Sequence, residues 1–286
     1  MVETYGSSES RIYYVEETNY GVTPSSPTVL GIKAESIEPG LSPSNVKVRG
    51  IGSVDLQAVK KGLRCAVLKI VYPLPSDAPI NFLQSAKVEL DKSLSIQVLY
   101  YKGLFSEATD IISLLYKGCK FHSLAAECHI EDVVKATAEL WGQDVTVGTS
   151  KISGATYNEY VGAVPWYSSY VKKDTTTLER VTDWRFSIGN NLKRVPVIKS
   201  SGADILKYLR HRHRDLTGEL TFEFESKEEF DDVINDTGFD FEFGLGGSNK
   251  AVFTSCKWEN VATPSRIEDL VALKAPFVAK GPVSIS

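Results

Sequence analysis

The chain has 286 residues, 42% of them apolar and 24% charged, enough for two ordinary domains with their own cores and unlike a disordered segment. Its 32 basic residues face 36 acidic ones, for a net charge of −4, the wrong balance for a protein that grips phosphate backbones. No run of about 18 apolar residues offers a membrane span, and the opening MVETYGSSESR lacks the basic and then apolar order of a signal peptide.

Taken in chain order, the pattern is one of strands. Leu68, Ile70 and Tyr72 alternate onto one face, as do Leu220, Phe222 and Phe224, and then Phe239, Phe241 and Phe243. Period two with β-branched and aromatic residues predicts half-buried antiparallel strands. SKEEFDDVIND predicts one helix: Ser226 and Glu229 have capping-box spacing, and Phe230, Val233 and Ile234 share a face. SDAPINFLQSA, from Ser76, is a weaker counterpart because Pro79 allows only a short turn. Two long segments, 40–62 and 190–215, are neither strand nor helix by pattern and concentrate positive charge. Long loops of this kind in a compact domain usually carry a task. The Tyr-, Trp- and Thr-rich stretch 157–184 reads as ordered strands rather than a linker, so the boundary between halves is expected near Ser150, giving units 1–150 and 151–286. The four cysteines at 65, 119, 128 and 256 are too sparse for a disulfide framework and read as small core residues of a chain made in a reducing cytoplasm.

The sequence also repeats itself. CKFHSLAAECHIEDVVKATA from Cys119 returns as CKWENVATPSRIEDLVALKA from Cys256, 137 residues on (256 − 119), without a gap. Upstream, AVLKIVYPL from Ala66 echoes GELTFEFES from Gly218, and SLSIQVLYY from Ser93 echoes GFDFEFGLG from Gly238, in the same order. One duplicated β unit is the expectation: strands, a short helix, then more strands, as a sandwich or barrel.

Candidate chemistry is thin. Cys119, His122, Cys128 and His129 could be drawn as a zinc set, but on a strand their side chains diverge, and the second copy has Ser265 and Arg266 in place of the last two. Neighbouring Glu131–Asp132 and Glu268–Asp269 also diverge and have no nucleophile beside them. They read as exposed anions able to pair with basic loops. No nucleotide, protease or hydrolase motif occurs, so no catalytic residue, cofactor or metal is expected.

The stretch from Glu17 to Thr28 has the form E-x-x-Y-G-x-x-P-x-x-P-T. With FSIGNNLKRV from Phe186, LTGELTFEFES after it and GCKFHSLAAE at Gly118, it resembles the tail tube (major tail) proteins of long-tailed phages and archaeal tailed viruses. The resemblance implies a mainly β protein of two tube-type sandwich or barrel units, each with a flanking helix and a long stacking loop. It implies a virion tail protein, assembled in the host cytoplasm, whose rings stack into a tube. DNA passes through that tube without specific binding, and the tape-measure, tail-terminator and distal tail proteins are partners. With two units per chain, three chains should complete a ring that single-unit proteins build from six. The basic loops then become candidate contacts to the next ring through Lys47, Arg49, Lys60, Lys61, Lys193, Arg194, Lys199, Lys207, Arg210 and Arg212. Glu131, Asp132, Glu268 and Asp269 are candidate acidic partners, and Asp240 and Glu242 candidate lumen carboxylates. The competing reading is a two-domain β-sandwich adhesin that stacks sugars on Trp166 and Tyr167.

Overall fold

A computed structural model describes residues 4–76, 82, 92–160, 162–198, 204–264 and 271–286. The protein is mainly β, and its strands follow from the alternation just read. In order they are β1 (Ser10–Glu16), β2 (Thr28–Ile32), β3 (Ser36–Pro43), β4 (Val46–Val48), β5 (Ala58–Lys60), β6 (Arg64–Pro73), β7 (Leu94–Tyr101), β8 (Ile111–His129), β9 (Lys135–Gly142), β10 (Asp144–Gly148) and β11 (Thr156–Asn158). There follow β12 (Val171–Lys173), β13 (Thr176–Thr177), β14 (Val181–Gly189), β15 (Lys193–Val195), β16 (Tyr208–Arg210), β17 (Asp215–Glu223), the helix α1 (Glu228–Ile234), β18 (Phe239–Gly244), β19 (Lys250–Trp258), β20 (Ala272–Ala279) and β21 (Val283–Ile285).

The two halves run through the same antiparallel pairings. In the first, β3 pairs β6, β6 pairs β9, β9 pairs β8, and β8 turns to pair β7 and β10. In the second, β14 pairs β17, β17 pairs β20, β20 pairs β19, and β19 pairs β18 and β21. Registers agree as well. Lys120 faces Trp141 and Phe121 faces Leu140, while Lys257 faces Val278 and Trp258 faces Phe277, each residue 137 further on (257 − 120, 278 − 141). Both halves share a bulge at the matching position, between Leu94 and Ile96 and between Phe239 and Phe241. Gly118 and Ser255, again 137 apart (255 − 118), both adopt positive φ there, 62° and 53°.

A carboxylate secures each bulge. Glu17, buried, accepts hydrogen bonds from Gly118 N–H (2.8 Å), Gly21 N–H (2.7 Å), Ser95 Oγ (2.7 Å) and Ser93 Oγ (2.5 Å). Four donors offset the cost of burying its charge, and they hold the E-x-x-Y-G turn against the sheet. In the second unit Asp240 Oδ1 accepts from Ser255 N–H at 2.8 Å. Asp240 thus caps this bulge while remaining exposed.

One hydrophobic cluster runs through both halves, from Ile12 to Ile285. Pairing with the first half continues past the expected boundary at Ser150: β11 lies parallel to β2, and Val164 donates its N–H to Leu74 O and accepts from Val134 N–H. β12 pairs β13 and β18, both later in the chain.

The helix forms where expected, with two differences. Glu229 closes no capping box. It turns inward to Arg180 Nη2 at 2.5 Å, where it is buried, and Lys227 takes the N-cap position without a side-chain bond. Only Phe230 of the helix's apolar residues packs against the core, while Val233 and Ile234 face solvent. The helix expected over 76–86 lies outside the described residues, apart from Ser76 and the buried, helical Phe82.

Candidate assembly surfaces

The two halves of the chain meet edge to edge. The C-terminal half of β8 pairs β14 over seven residues, from Asp183 opposite His129 to Gly189 opposite Ser123. The result is one continuous sheet in the order β3-β6-β9-β8-β14-β17-β20-β19. At this seam Trp184, Phe186 and Ile188 point into the core and are buried, and Arg185 reaches Glu127 across the strands at 3.9 Å. Asn190 closes its end: its N–H bonds His122 O at 2.9 Å, its Nδ2 bonds Phe121 O at 3.1 Å, and its Oδ1 accepts from Arg214 Nε at 3.0 Å.

The face of this sheet away from the core carries charge of both signs in register. Glu38, Lys69 and Glu139 stand side by side on β3, β6 and β9. Glu127, Arg185 and Glu219 do so on β8, β14 and β17. Glu242 is elsewhere, on β18, tied to Lys250 (2.9 Å), Tyr170 Oη (2.7 Å) and Lys172 (3.2 Å), which hold its pKa down at about 2.

The two basic segments fold differently. β4 and β5 form a separate two-stranded ribbon. Lys47, Arg49 and Lys60 are exposed on or beside it, and Ile51 and Val54 at its tip are fully exposed. Lys61, at its base, is bridged to Asp204 at 2.6 Å. β15 and β16 form the second ribbon, but this one is docked: Leu192, Leu206 and Leu209 bury against Leu63 and Trp141 of the first unit. Arg194 lies over the Trp141 ring at 4.1 Å, with Lys193, Lys207, Arg210 and Arg212 exposed. Glu131 is exposed in a turn, while Asp132 pairs with Lys135 at 3.0 Å and bonds Val133 N–H, which together lower its pKa. Lys199, Glu268 and Asp269 lie outside the described residues.

The zinc-like set is scattered among other duties. Cys119 and Cys128 are buried thiols whose pKa burial raises. His122 stacks on Trp141 at 4.0 Å, and its Nδ1 accepts from Leu192 N–H at 3.2 Å. His129 pairs with Asp183 at 2.6 Å. Among the described residues no three His, Cys, Asp or Glu side chains are placed to hold a metal. Trp166 and Tyr167 are exposed, but their rings stand at 80° to one another and form no flat sugar platform.

What these surfaces define is a mainly β structural protein whose conspicuous features are strand edges and an apolar arm. Residues 7–282 match the family model described as phage tail tube protein, and the chain belongs to that family. Its members are structural components of virion tails, not enzymes. Among solved structures it is similar to a chain of the virion of a native gene transfer agent particle, at 10% identity and a TM-score of 0.37, over 43% of this chain and 99% of that one. No curated protein matches.

Proposed function

We propose that this chain closes into rings of three around a channel and that the rings stack into the tail tube, the conduit for genome delivery. The observation that carries the reading is the seam: two units of like pairing already stand side by side in one sheet through β8 and β14. Each unit supplies one stave of the wall, so three chains complete a closed ring of six staves.

The charged face of the sheet lines the channel in this arrangement. Each row holds one cation between two anions, Glu38-Lys69-Glu139 and Glu127-Arg185-Glu219. A lining of that kind gives phosphates no basic patch to hold, so DNA slides. The arm 46–60, with its apolar tip, reaches the next ring, since an exposed apolar surface of this kind marks a contact. Exposed Lys193, Lys207, Arg210 and Arg212, together with Lys199, pair with acidic surface there, Glu131, Glu268 and Asp269 included. Assembly takes place in the host cytoplasm with tape-measure, tail-terminator and distal tail proteins as partners.

End-on averages of negatively stained assemblies test this. Threefold rings with six similar lobes are expected. Six whole chains per ring would refute the two-stave reading, and protein that stays monomeric would refute ring assembly.

A further inference from the structure

The seam inside the chain has an unfilled counterpart at its ends. By the pairing correspondence, β3 is to the first unit what β14 is to the second: Glu38 opposite Lys69 matches Arg185 opposite Glu219, an offset of 147 on the first strand (185 − 38) and 150 on the second (219 − 69). The stretch of β8 that receives β14 corresponds, 137 residues on, to the chain from 260 after β19. That chain is still paired to β20, through Glu259 N–H to Pro276 O (2.9 Å) and both bonds of Ala262 with Lys274. Among the described residues nothing pairs its other side, and nothing pairs the outer side of β3.

We propose that β3 of one copy pairs antiparallel with residues 260–264 of the next, with Leu41 opposite Val261, Gly40 opposite Ala262 and Pro39 opposite Thr263. This register transfers Ile188 opposite Leu124, Ser187 opposite Ala125 and Phe186 opposite Ala126 from the internal seam. The inference rests on the ring reading and specifies which edges close the ring.

The backbone is set for it. Ser44 N–H bonds Leu63 O in the β3–β6 register, so even-numbered residues of β3 face β6, and Ile37, Pro39, Leu41 and Pro43 face outward. Ala262 spends its N–H and C=O on Lys274, so Val261 and Thr263 face outward too. Leu41 and Val261 exchange two bonds, and Thr263 N–H donates to Pro39 O. The two prolines fall where an edge strand tolerates them and leave Leu41 as the outward donor between them. A bare edge of this kind invites pairing with another chain, and here the partner is a second copy in a single register.

The test pairs two full-length variants. Ser42 faces Asn260 in the proposed register, as Gly189 faces Ser123 inside the chain, and both are exposed. In assembled S42C/N260C protein, mild oxidation is expected to give covalent dimers and trimers on a non-reducing gel, while each single variant stays monomeric. The four native thiols are buried. Microscopy of the same sample separates the outcomes. Tubes without crosslinks overturn this seam but leave the ring reading standing, and absence of any assembly overturns both. L41P removes the outward donor while leaving the β3–β6 bonds intact. It is expected to keep the wild-type circular dichroism and to lose at least about tenfold in assembly, the equivalent of about 1.4 kcal/mol. Assembly at wild-type level would overturn the proposal.

Discussion

β14 and β3 occupy matching places in the two units and differ in what lies beyond them. β14 has β17 on one side and β8 on the other, and Ile188 on its core face is 0% exposed. Among the described residues β3 has only β6, and Leu41, the counterpart of Ile188, is 47% exposed. Ile188 is covered because β8 lies beside β14, and the proposed seam would cover Leu41 in the same way. In the proposed ring the edge of β3 is completed by repeating the internal seam between chains.

The sharpest way to break this comparison is to truncate both residues. Ile188→Ala should cost about 2–5 kcal/mol in denaturant unfolding of the unassembled chain, as buried aliphatic truncations do. Leu41→Ala should stay within about 0.5 kcal/mol in the same experiment and show its cost only in assembled protein. Equal losses in the free chain would mean that β3 is already covered. Next in size is Asn190→Ala, about 1–3 kcal/mol, because Phe121 O and Arg214 each lose a partner at a buried site. Thermal melts of unassembled protein would show it. The counterpart of Asn190 on β3 is Pro43 (190 − 147), which has no such clamp to lose.

The smallest effect is one of pH. Burial lowers the pKa of His122, whose Nδ1 accepts Leu192 N–H beside the seam. A histidine with a depressed folded pKa contributes its full stability above its unfolded value of about 6.5 and loses it as pH falls below that. The melting temperature should drop between pH 7 and 5, and less so in His122→Asn. An unchanged slope in the variant would remove His122 from the account.

Much of the fold was legible because alternation and repetition are local. The 137-residue offset between Cys119 and Cys256 survives in the pairing of β8 with β9 and β19 with β20. The echo at Ser93 and Gly238 also matches the register, with Leu94 and Phe239 each opposite its unit's cysteine. The echo at Ala66 and Gly218 was misaligned by two residues, since register sets Leu68 against Gly218 (both 137-shifted partners being Leu140 and Phe277). A slip of two keeps the same face inward, so alternation could not detect it.

What sequence could not resolve depended on distant partners. Glu229 satisfied the capping spacing, but Arg180 outcompeted the helix end for its carboxylate. Two segments of similar charge read alike as loops, yet Leu192, Leu206 and Leu209 dock the second while the first stands free. Asp240 and Glu242 alternate with buried phenylalanines, but their partners Ser255, Lys172 and Lys250 lie on other strands or further along the chain, which alternation alone does not reveal. The edge of β3 carries no sequence signature beyond its two prolines.

A helical reconstruction of the assembled tube by electron cryomicroscopy, at a resolution that separates strands, bears most directly on the two-stave wall. It should show three chains per ring, with β3 of each running antiparallel to the 260–264 segment of its neighbour and six equivalent seams around the lumen. Six chains per ring, or a β3 edge with no strand beside it, would contradict the account.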